Sequence, residues 1–299
     1  MSELNLLQQL LLERPWILAD GATGTRLLNM GLNSGTAPEL WNDTNSEDVG
    51  KLYQKTIDSG VDLFLTNSFG SNYSRLKLHD AGHRSYELSQ KAAEIARNLV
   101  DKSNRTIVIA GSIGPTGEIL QPAGDLTFRE AVEIFSAQVE GLKAGGVDVY
   151  WVETMSDPTE LKAAGKAIKA INGDWCATMS FDTAGRTMMG FSASSMVSLI
   201  DELENPPLAI GANCGVGVSD LLRTLKEMTL SRKPLIAKGN AGIPKFKEGK
   251  IYYDGTLEVM ADYACLARDL GVKIIGGCCG TTPQHLRAMR SSLESQPFG

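Results

Sequence analysis

Three cysteines stand where they could share one metal ion. Cys278 and Cys279 are consecutive in Ile274-Ile275-Gly276-Gly277-Cys278-Cys279-Gly280-Thr281-Thr282-Pro283, and Cys214 closes the apolar run Leu208-Ala209-Ile210-Gly211-Ala212-Asn213-Cys214-Gly215. Thiolate sulfur binds zinc at ~2.3 Å in a tetrahedral arrangement, and three protein ligands with one exchangeable position mark a reactive site. Three thiolates leave such a complex net negative, so it is poorly suited to polarise a carbonyl or to make hydroxide. It is well suited to a fourth thiolate brought by a substrate, whose pKa falls below the ~8.5 of a free thiol while the sulfur stays nucleophilic. The chemistry implied is alkyl transfer to a thiol. The competing reading is three buried cysteines packed as small apolar residues. A vicinal disulfide between Cys278 and Cys279 would be strained.

The elements that must position these thiols can be read from the hydrophobic pattern. Apolar runs near 16–20, 61–66, 106–111, 147–153, 174–180, 208–213, 234–238 and 272–277 predict strands. They are continuous and not alternating, which means burial on both faces. Helical patterns are expected over about 1–14, 46–59, 83–101, 127–144, 157–171, 194–203, 218–229 and 256–270, with another after Pro283 and a polar loop over 31–45. Eight βα units predict a single (β/α)8 TIM-type barrel, with a doubly wound open sheet as the alternative topology. No linker or low-complexity stretch divides the chain, so one domain is expected over 1–299, with its core over about 16–290.

In a barrel of this kind the chemistry sits at the carboxyl ends of the strands. The sixth and eighth runs flank the seventh, so Cys214 can meet the cysteine pair there. Successive residues of a regular strand point to opposite faces. Both members of the pair can therefore face one ion only if the strand breaks, which Gly277 and Gly280 would permit. The same ends carry Asp20, Thr66-Asn67, Ser112, Glu153-Thr154, Asp182 and Lys238-Gly239-Asn240. The turn Gly21-Ala22-Thr23-Gly24-Thr25 offers backbone N–H groups to an anion, but lacks the Gly-Lys-Ser/Thr ending of a nucleotide P-loop. Cys176 and Cys265 are expected to be packing residues, and His79, His83 and His285 to be surface or capping residues.

Composition bounds the partners. The 299 residues carry a net charge of −6, with 42% hydrophobic and 21% charged residues. The acidic balance argues against a nucleic-acid or anionic-membrane surface. No apolar run reaches the ~18 residues of a transmembrane candidate, and no secretory signal is visible after Met1-Ser2-Glu3. Five cysteines, an odd number, do not read as a secreted disulfide framework. A reducing, cytoplasmic setting is expected.

Asp20-Gly21-Ala22-Thr23-Gly24-Thr25, Thr66-Asn67-Ser68-Phe69-Gly70, Gly111-Ser112-Ile113-Gly114-Pro115, Glu153-Thr154, Gly211-Ala212-Asn213-Cys214 and Gly276-Gly277-Cys278-Cys279-Gly280 together resemble the homocysteine S-methyltransferase family. The resemblance runs from about residue 16 to 290, and the Asn-Cys and Gly-Gly-Cys-Cys-Gly motifs are its specific part. It implies a (β/α)8 barrel that binds zinc through Cys214, Cys278 and Cys279 and methylates homocysteine to methionine. It also implies that the homocysteine ammonium lies near Glu153 and Asp20, with the carboxylate at the N–H groups of Gly21, Ala22 and Thr23.

The family divides by methyl donor. Its large members add folate and cobalamin modules, which have no counterpart here, so a donor with an already activated methyl group is expected. Three further stretches most resemble the bacterial betaine–homocysteine S-methyltransferases: Ser34 to Asn42, Phe181 to Gly190 and Lys238 to Pro244. The animal betaine enzymes have tyrosines where Gly70 and Thr154 stand, so their donor pocket cannot be copied across. Aromatic faces suit a methylated cation at ~0.5–2 kcal/mol per contact. Trp41 is the first candidate, then Tyr73, Tyr252 and Tyr253, with Arg186 for a donor carboxylate. The alternatives are a sulfonium donor, S-methylmethionine or dimethylsulfoniopropionate, or the homocysteine-binding half of a split cobalamin-dependent methionine synthase. A homo-oligomer is compatible with the sequence. It would be built differently from the animal tetramers, whose long C-terminal extension has no counterpart here.

Overall fold

The computed structural model describes residues 4–247 and 250–296. Residues 1–3, into which the first expected helix extended and from which the secretory reading was made, lie outside the described residues, as do 297–299 of the expected domain. Every predicted apolar run forms a strand: β1 (Ile17–Leu18), β2 (Leu63–Leu65), β3 (Val108–Ile113), β4 (Val149–Met155), β5 (Trp175–Met179), β6 (Ala209–Cys214), β7 (Leu235–Gly239) and, last in the chain, β10 (Val272–Gly277). Between β7 and β10 an unpredicted antiparallel hairpin forms from β8 (Lys245–Lys247) and β9 (Lys250–Tyr252).

The eight long-range strands are parallel, in the order β1-β10-β7-β6-β5-β4-β3-β2. The two ends of that order meet. Asp62 N–H donates to Leu18 O at 2.8 Å, and Ala19 bridges Leu63 in parallel. Closure rules out the doubly wound open sheet, and the fold is a (β/α)8 barrel. Its interior is a cluster of alternate inward side chains, among them Ile17, Leu63, Val108, Trp151, Cys176, Ile236 and Ile274, plugged from below by Leu7 and Leu10 of the helix Leu6–Glu13. A second, larger cluster lies between the strands and the outer helices. Cys176 and Cys265 are buried packing residues.

Helix starts are chemically defined. Thr127 caps Phe128–Gly145 in a box with Glu130, Asp157 caps Pro158–Ala170, and Thr282 caps Pro283–Ser295 with His285 completing the box. These side chains satisfy backbone N–H groups that the helix leaves without partners. The loop expected over 31–45 contains a 3-10 turn, Pro38–Leu40, and a short helix, Trp41–Thr44. The β2 loop likewise carries the four-residue helix Tyr73–Leu76. No helix among the described residues is long and apolar enough to cross a membrane.

Candidate metal and substrate site

The sulfurs of Cys214, Cys278 and Cys279 lie within 4.8 Å of one another at the carboxyl ends of β6 and β10. Tetrahedral zinc with ~2.3 Å bonds needs sulfurs roughly 3.8 Å apart, so the trio fits such an ion with little movement. The strand does break where the sequence suggested. β10 ends at Gly277, and the pair sits in the following turn. Gly280 takes φ +79°, the left-handed region. Gly277 serves differently: a Cβ there would lie 2.4 Å from Thr281 Cγ2. Cys214 itself adopts φ +62°, a conformation that costs a non-glycine residue ~1–3 kcal/mol and is concentrated at functional sites.

Two asparagine amides surround the sulfurs. Asn240 Nδ2 approaches Cys214 Sγ at 3.6 Å, and its Oδ1 accepts the Cys279 N–H at 3.0 Å. Asn213 Nδ2 approaches Cys278 Sγ at 3.8 Å, while its Oδ1 accepts from Thr178 Oγ1 at 2.8 Å and from the Thr154 N–H at 2.9 Å. Donors aimed at sulfur favour thiolates, and such supporting contacts orient metal ligands. Without a cation the crowded thiols resist ionisation. For Cys214 the hydrogen bond with Cys278 lowers the pKa, but the contact with Cys279 and burial leave it pushed up to about 11. For Cys279 the bond with Cys214 lowers it, but Cys278 and burial push it up to about 12. Cys278 is raised by its bond to Cys214. A divalent cation would relieve all three, and the donor set fits zinc.

Beside the thiols lies a buried charge trio. Lys238 Nζ is 2.6 Å from Asp20 Oδ1, and Asp20 Oδ2 accepts the Leu65 N–H at 2.9 Å. Glu153 Oε1 accepts from Ser112 Oγ at 2.6 Å. Burial works against the Lys238 ammonium, but Asp20 and Glu153 outweigh it and raise its pKa above the ordinary lysine value. Burial raises the Glu153 carboxyl, opposed by Lys238 and Ser112. Lys238 also stands 5.7 Å from the Trp151 ring centroid. The sequence reading placed Lys238 at a strand end without a role. A lysine inside the apolar run Leu235-Ile236-Ala237-Lys238 was the available signal, since lysine is almost never fully buried unpaired.

A cavity of about 470 Å³ opens onto these groups. It is lined by Asp20, the turn from Gly21 to Thr25, Ser112, Glu153, Lys238 and the three cysteines. Within the turn, the Ala22 N–H already donates to Thr281 Oγ1 at 2.9 Å. The far wall holds Glu39, Phe69, Arg75 and His79, of which the sequence reading had singled out only His79, as a surface or capping residue. His285 is the capping residue expected, and its Nε2 lies 3.0 Å from Gly255 O. None of Trp41, Tyr73, Arg186, Tyr252 and Tyr253 is among the lining residues. Trp41 packs on the outer core, Tyr73 lies under Gly82, and Arg186 binds Gly190 O at 3.0 Å within its own exposed loop. Tyr252 is exposed. Tyr253 packs on Gly280, next to Cys279 in the chain, so it alone of the five adjoins the thiols.

Comparison with known proteins is consistent with this geometry. The sequence profile described as homocysteine S-methyltransferase matches residues 17–293. Methionine synthase of Mycobacterium leprae (strain TN) is 27% identical over 302 residues, 93% of this chain and 24% of that protein. Methionine synthase of Mycobacterium tuberculosis (strain ATCC 25618 / H37Rv) is 28% identical over 304 residues, 93% of this chain and 25% of that protein. The chain thus spans about a quarter of the length of these relatives. Among solved structures, the metallated homocysteine methyltransferase MmuM from Escherichia coli matches with a TM-score of 0.79 and 22% identity, over 96% of this chain and 99% of that one. Its oxidised form gives 0.78 and 23%, over the same shares of the two chains. At that identity the likeness shows a shared fold.

Proposed function

The chain belongs to the homocysteine S-methyltransferase family, and from that premise we propose that it transfers a methyl group from glycine betaine to homocysteine, giving methionine and dimethylglycine. The observation that carries the thiol-alkylation part is the convergence of Cys214, Cys278 and Cys279 in the lining of the cavity. Zinc held by these residues would lower the pKa of the substrate thiol while leaving its sulfur nucleophilic. The metallated form of the E. coli homocysteine methyltransferase of the same fold supports a metal here.

The rest falls to the chain's own side chains. Glu153 keeps one oxygen on Ser112 and is the carboxylate for the homocysteine ammonium. Asp20 has both oxygens engaged, by Lys238 and Leu65 N–H, and acts through the field it shares with Lys238. The homocysteine carboxylate meets the turn at the Gly21 and Thr23 N–H groups, since Thr281 holds that of Ala22. The homocysteine sulfur attacks the donor methyl carbon in line. A carbon–sulfur bond forms as the donor's carbon–nitrogen bond breaks, and that electron pair leaves with the dimethylglycine nitrogen. Both substrates share the cavity, so the reaction passes through a ternary complex.

The test is a donor panel: zinc-loaded protein, homocysteine, and glycine betaine, S-methylmethionine or dimethylsulfoniopropionate, with methionine measured. Betaine is expected to support turnover. A sulfonium donor supporting turnover in its place would correct the donor. A second reading is favoured by the large methionine synthases of which this chain matches a quarter. In that reading the barrel works on a separate methylcorrinoid protein, and the panel would be silent until that partner is added.

A further inference from the structure

The far wall of the cavity has a chemistry of its own. Three loops build it. The loop after β1 brings Glu39, whose side chain is buried and whose Oε1 accepts the Gly70 N–H at 2.6 Å. The loop after β2 brings Arg75 and His79. The loop after β3 fixes Arg75, whose Nε donates to Pro115 O at 3.2 Å and whose guanidinium lies against Gly117, where a Cβ would be 3.1 Å from Arg75 Cζ. Arg75 makes no ion pair among the described residues, and its terminal nitrogens have no hydrogen-bond partner there. Gly70 leaves the space that Glu39 fills: a Cβ at 70 would lie 3.0 Å from Glu39 Oε1.

Holding Gly70 requires only an acceptor, which an amide would supply. A carboxylate buried for that purpose is costly without a cation, and burial raises the Glu39 carboxyl, opposed by the Gly70 bond and by Arg75 and His79. Of the Phe, Tyr and Trp side chains, Phe69 alone lines the cavity among the described residues, and its ring packs on Gly114. A methylated cation therefore finds no aromatic cage here. It finds the Glu39 carboxyl group, with a fixed guanidinium at the same wall.

We propose that Glu39 and Arg75 form the methyl-donor subsite, Glu39 facing the donor's onium charge and Arg75 binding its carboxylate, so that the protein takes zwitterionic onium donors and rejects methylated cations that lack a carboxylate. The inference rests on the methyl-transfer reading above and names the residues that select the donor. His79, at the same wall, adds polarity for the carboxylate end. Arginine suits this task because its planar fork matches a carboxylate in two parallel hydrogen bonds.

The test is calorimetric binding to the full-length, zinc-loaded protein. Saturating 2-aminobutyrate fills the homocysteine position without a thiol to react. The probes are glycine betaine and dimethylsulfoniopropionate against tetramethylammonium and trimethylsulfonium. Wild type is expected to bind the zwitterions at least tenfold more tightly than the simple cations. Arg75→Ala should erase that preference, Arg75→Lys should retain part of it, and Glu39→Gln should weaken both classes alike. Equal binding of both classes by wild type, no binding of any probe, or an unchanged preference in Arg75→Ala would each overturn the subsite. Binding with the expected pattern but without methionine formation when homocysteine replaces the analogue would leave the subsite standing and sink the methyl-transfer reading.

Discussion

Lys238 Nζ lies 2.6 Å from Asp20 Oδ1, and both side chains are buried to within 5% of full coverage. The two residues are 218 apart in sequence, Lys238 on β7 and Asp20 just past the end of β1, with β10 between those strands. Losing one partner of a buried pair leaves an uncompensated charge and costs ~3–5 kcal/mol, whereas losing both can be nearly neutral. Lys238→Met should therefore destabilise the protein by roughly 3–5 kcal/mol in urea at pH 7. Asp20→Asn combined with Lys238→Met should recover most of the loss. The folded-state pKa of Lys238 is raised, so its contribution is fully present below the ordinary lysine value of ~10.4 and is lost as pH rises through the higher folded value. Strictly additive single and double variants would show that the pair is not coupled.

Asn240 binds at both ends of the thiol trio, through Nδ2 to Cys214 Sγ and through Oδ1 to the Cys279 N–H. Contacts of this kind are worth about 10–100-fold in metal affinity. Asn240→Ala should weaken zinc by that factor in a chelator competition, and Cys214→Ser should weaken it further. Cys176→Ala, deep in the barrel interior, should leave zinc content unchanged. Equal zinc retention by Asn240→Ala and wild type would remove the asparagine from the site.

Glu153, in the buried trio, has one oxygen held by Ser112 Oγ. A hydrogen bond to a charged group contributes ~1.5–3 kcal/mol, so Glu153→Gln should raise the KM for homocysteine by about 10–100-fold while zinc stoichiometry holds. Burial raises this carboxyl above the ordinary glutamate range. Its anion is therefore lost as pH falls through that higher value, and the KM for homocysteine should climb there in wild type and stay flat in the glutamine variant. A parallel climb in both would assign the pH dependence to another group.

What was legible in the sequence followed from local, periodic signals. Continuous apolar runs marked all eight barrel strands, because burial on both faces leaves no polar alternation to hide them. The strand ends then located the thiols, Asp20 and Glu153. The hairpin of β8 and β9 escaped, since Lys245-Phe246-Lys247 and Lys250-Ile251-Tyr252 carry too little apolar material to stand out. The donor wall escaped for a different reason. Arg75 reaches the cavity only because an unpredicted four-residue helix, capped by Asn72, turns it there. Glu39 does so only because the chain at Gly70, 31 residues away, offers it an N–H. Aromatic residues looked suited to a methylated cation, yet Trp41 was needed by the outer core. Long-range loop geometry of this sort has no periodicity to read.

Two glycines separate the backbone's role from the metal's. Gly280 and Gly271 both hold left-handed φ, +79° and +90°. Around Gly271 an added Cβ meets nothing within 4 Å, whereas at Gly280 it would lie 2.2 Å from Tyr253 Cγ. Gly271→Ala therefore carries only the conformational cost of a left-handed alanine, about 1 kcal/mol, and should keep full zinc content. Gly280→Ala adds a clash that must displace either the Tyr253 ring or the turn holding Cys278 and Cys279. The turn is pinned by the Cys278 N–H to Gly239 O at 2.7 Å and by the Ala241 N–H to Cys279 O at 2.9 Å. Movement of either segment shifts the packing of Tyr253 on the turn or spreads the sulfurs. Gly280→Ala should consequently lose zinc at least tenfold more readily than Gly271→Ala in the same chelator titration, even where both unfold at similar urea concentrations. If the two variants hold zinc equally, the close approach of Tyr253 to Gly280 plays no part in shaping the thiol trio.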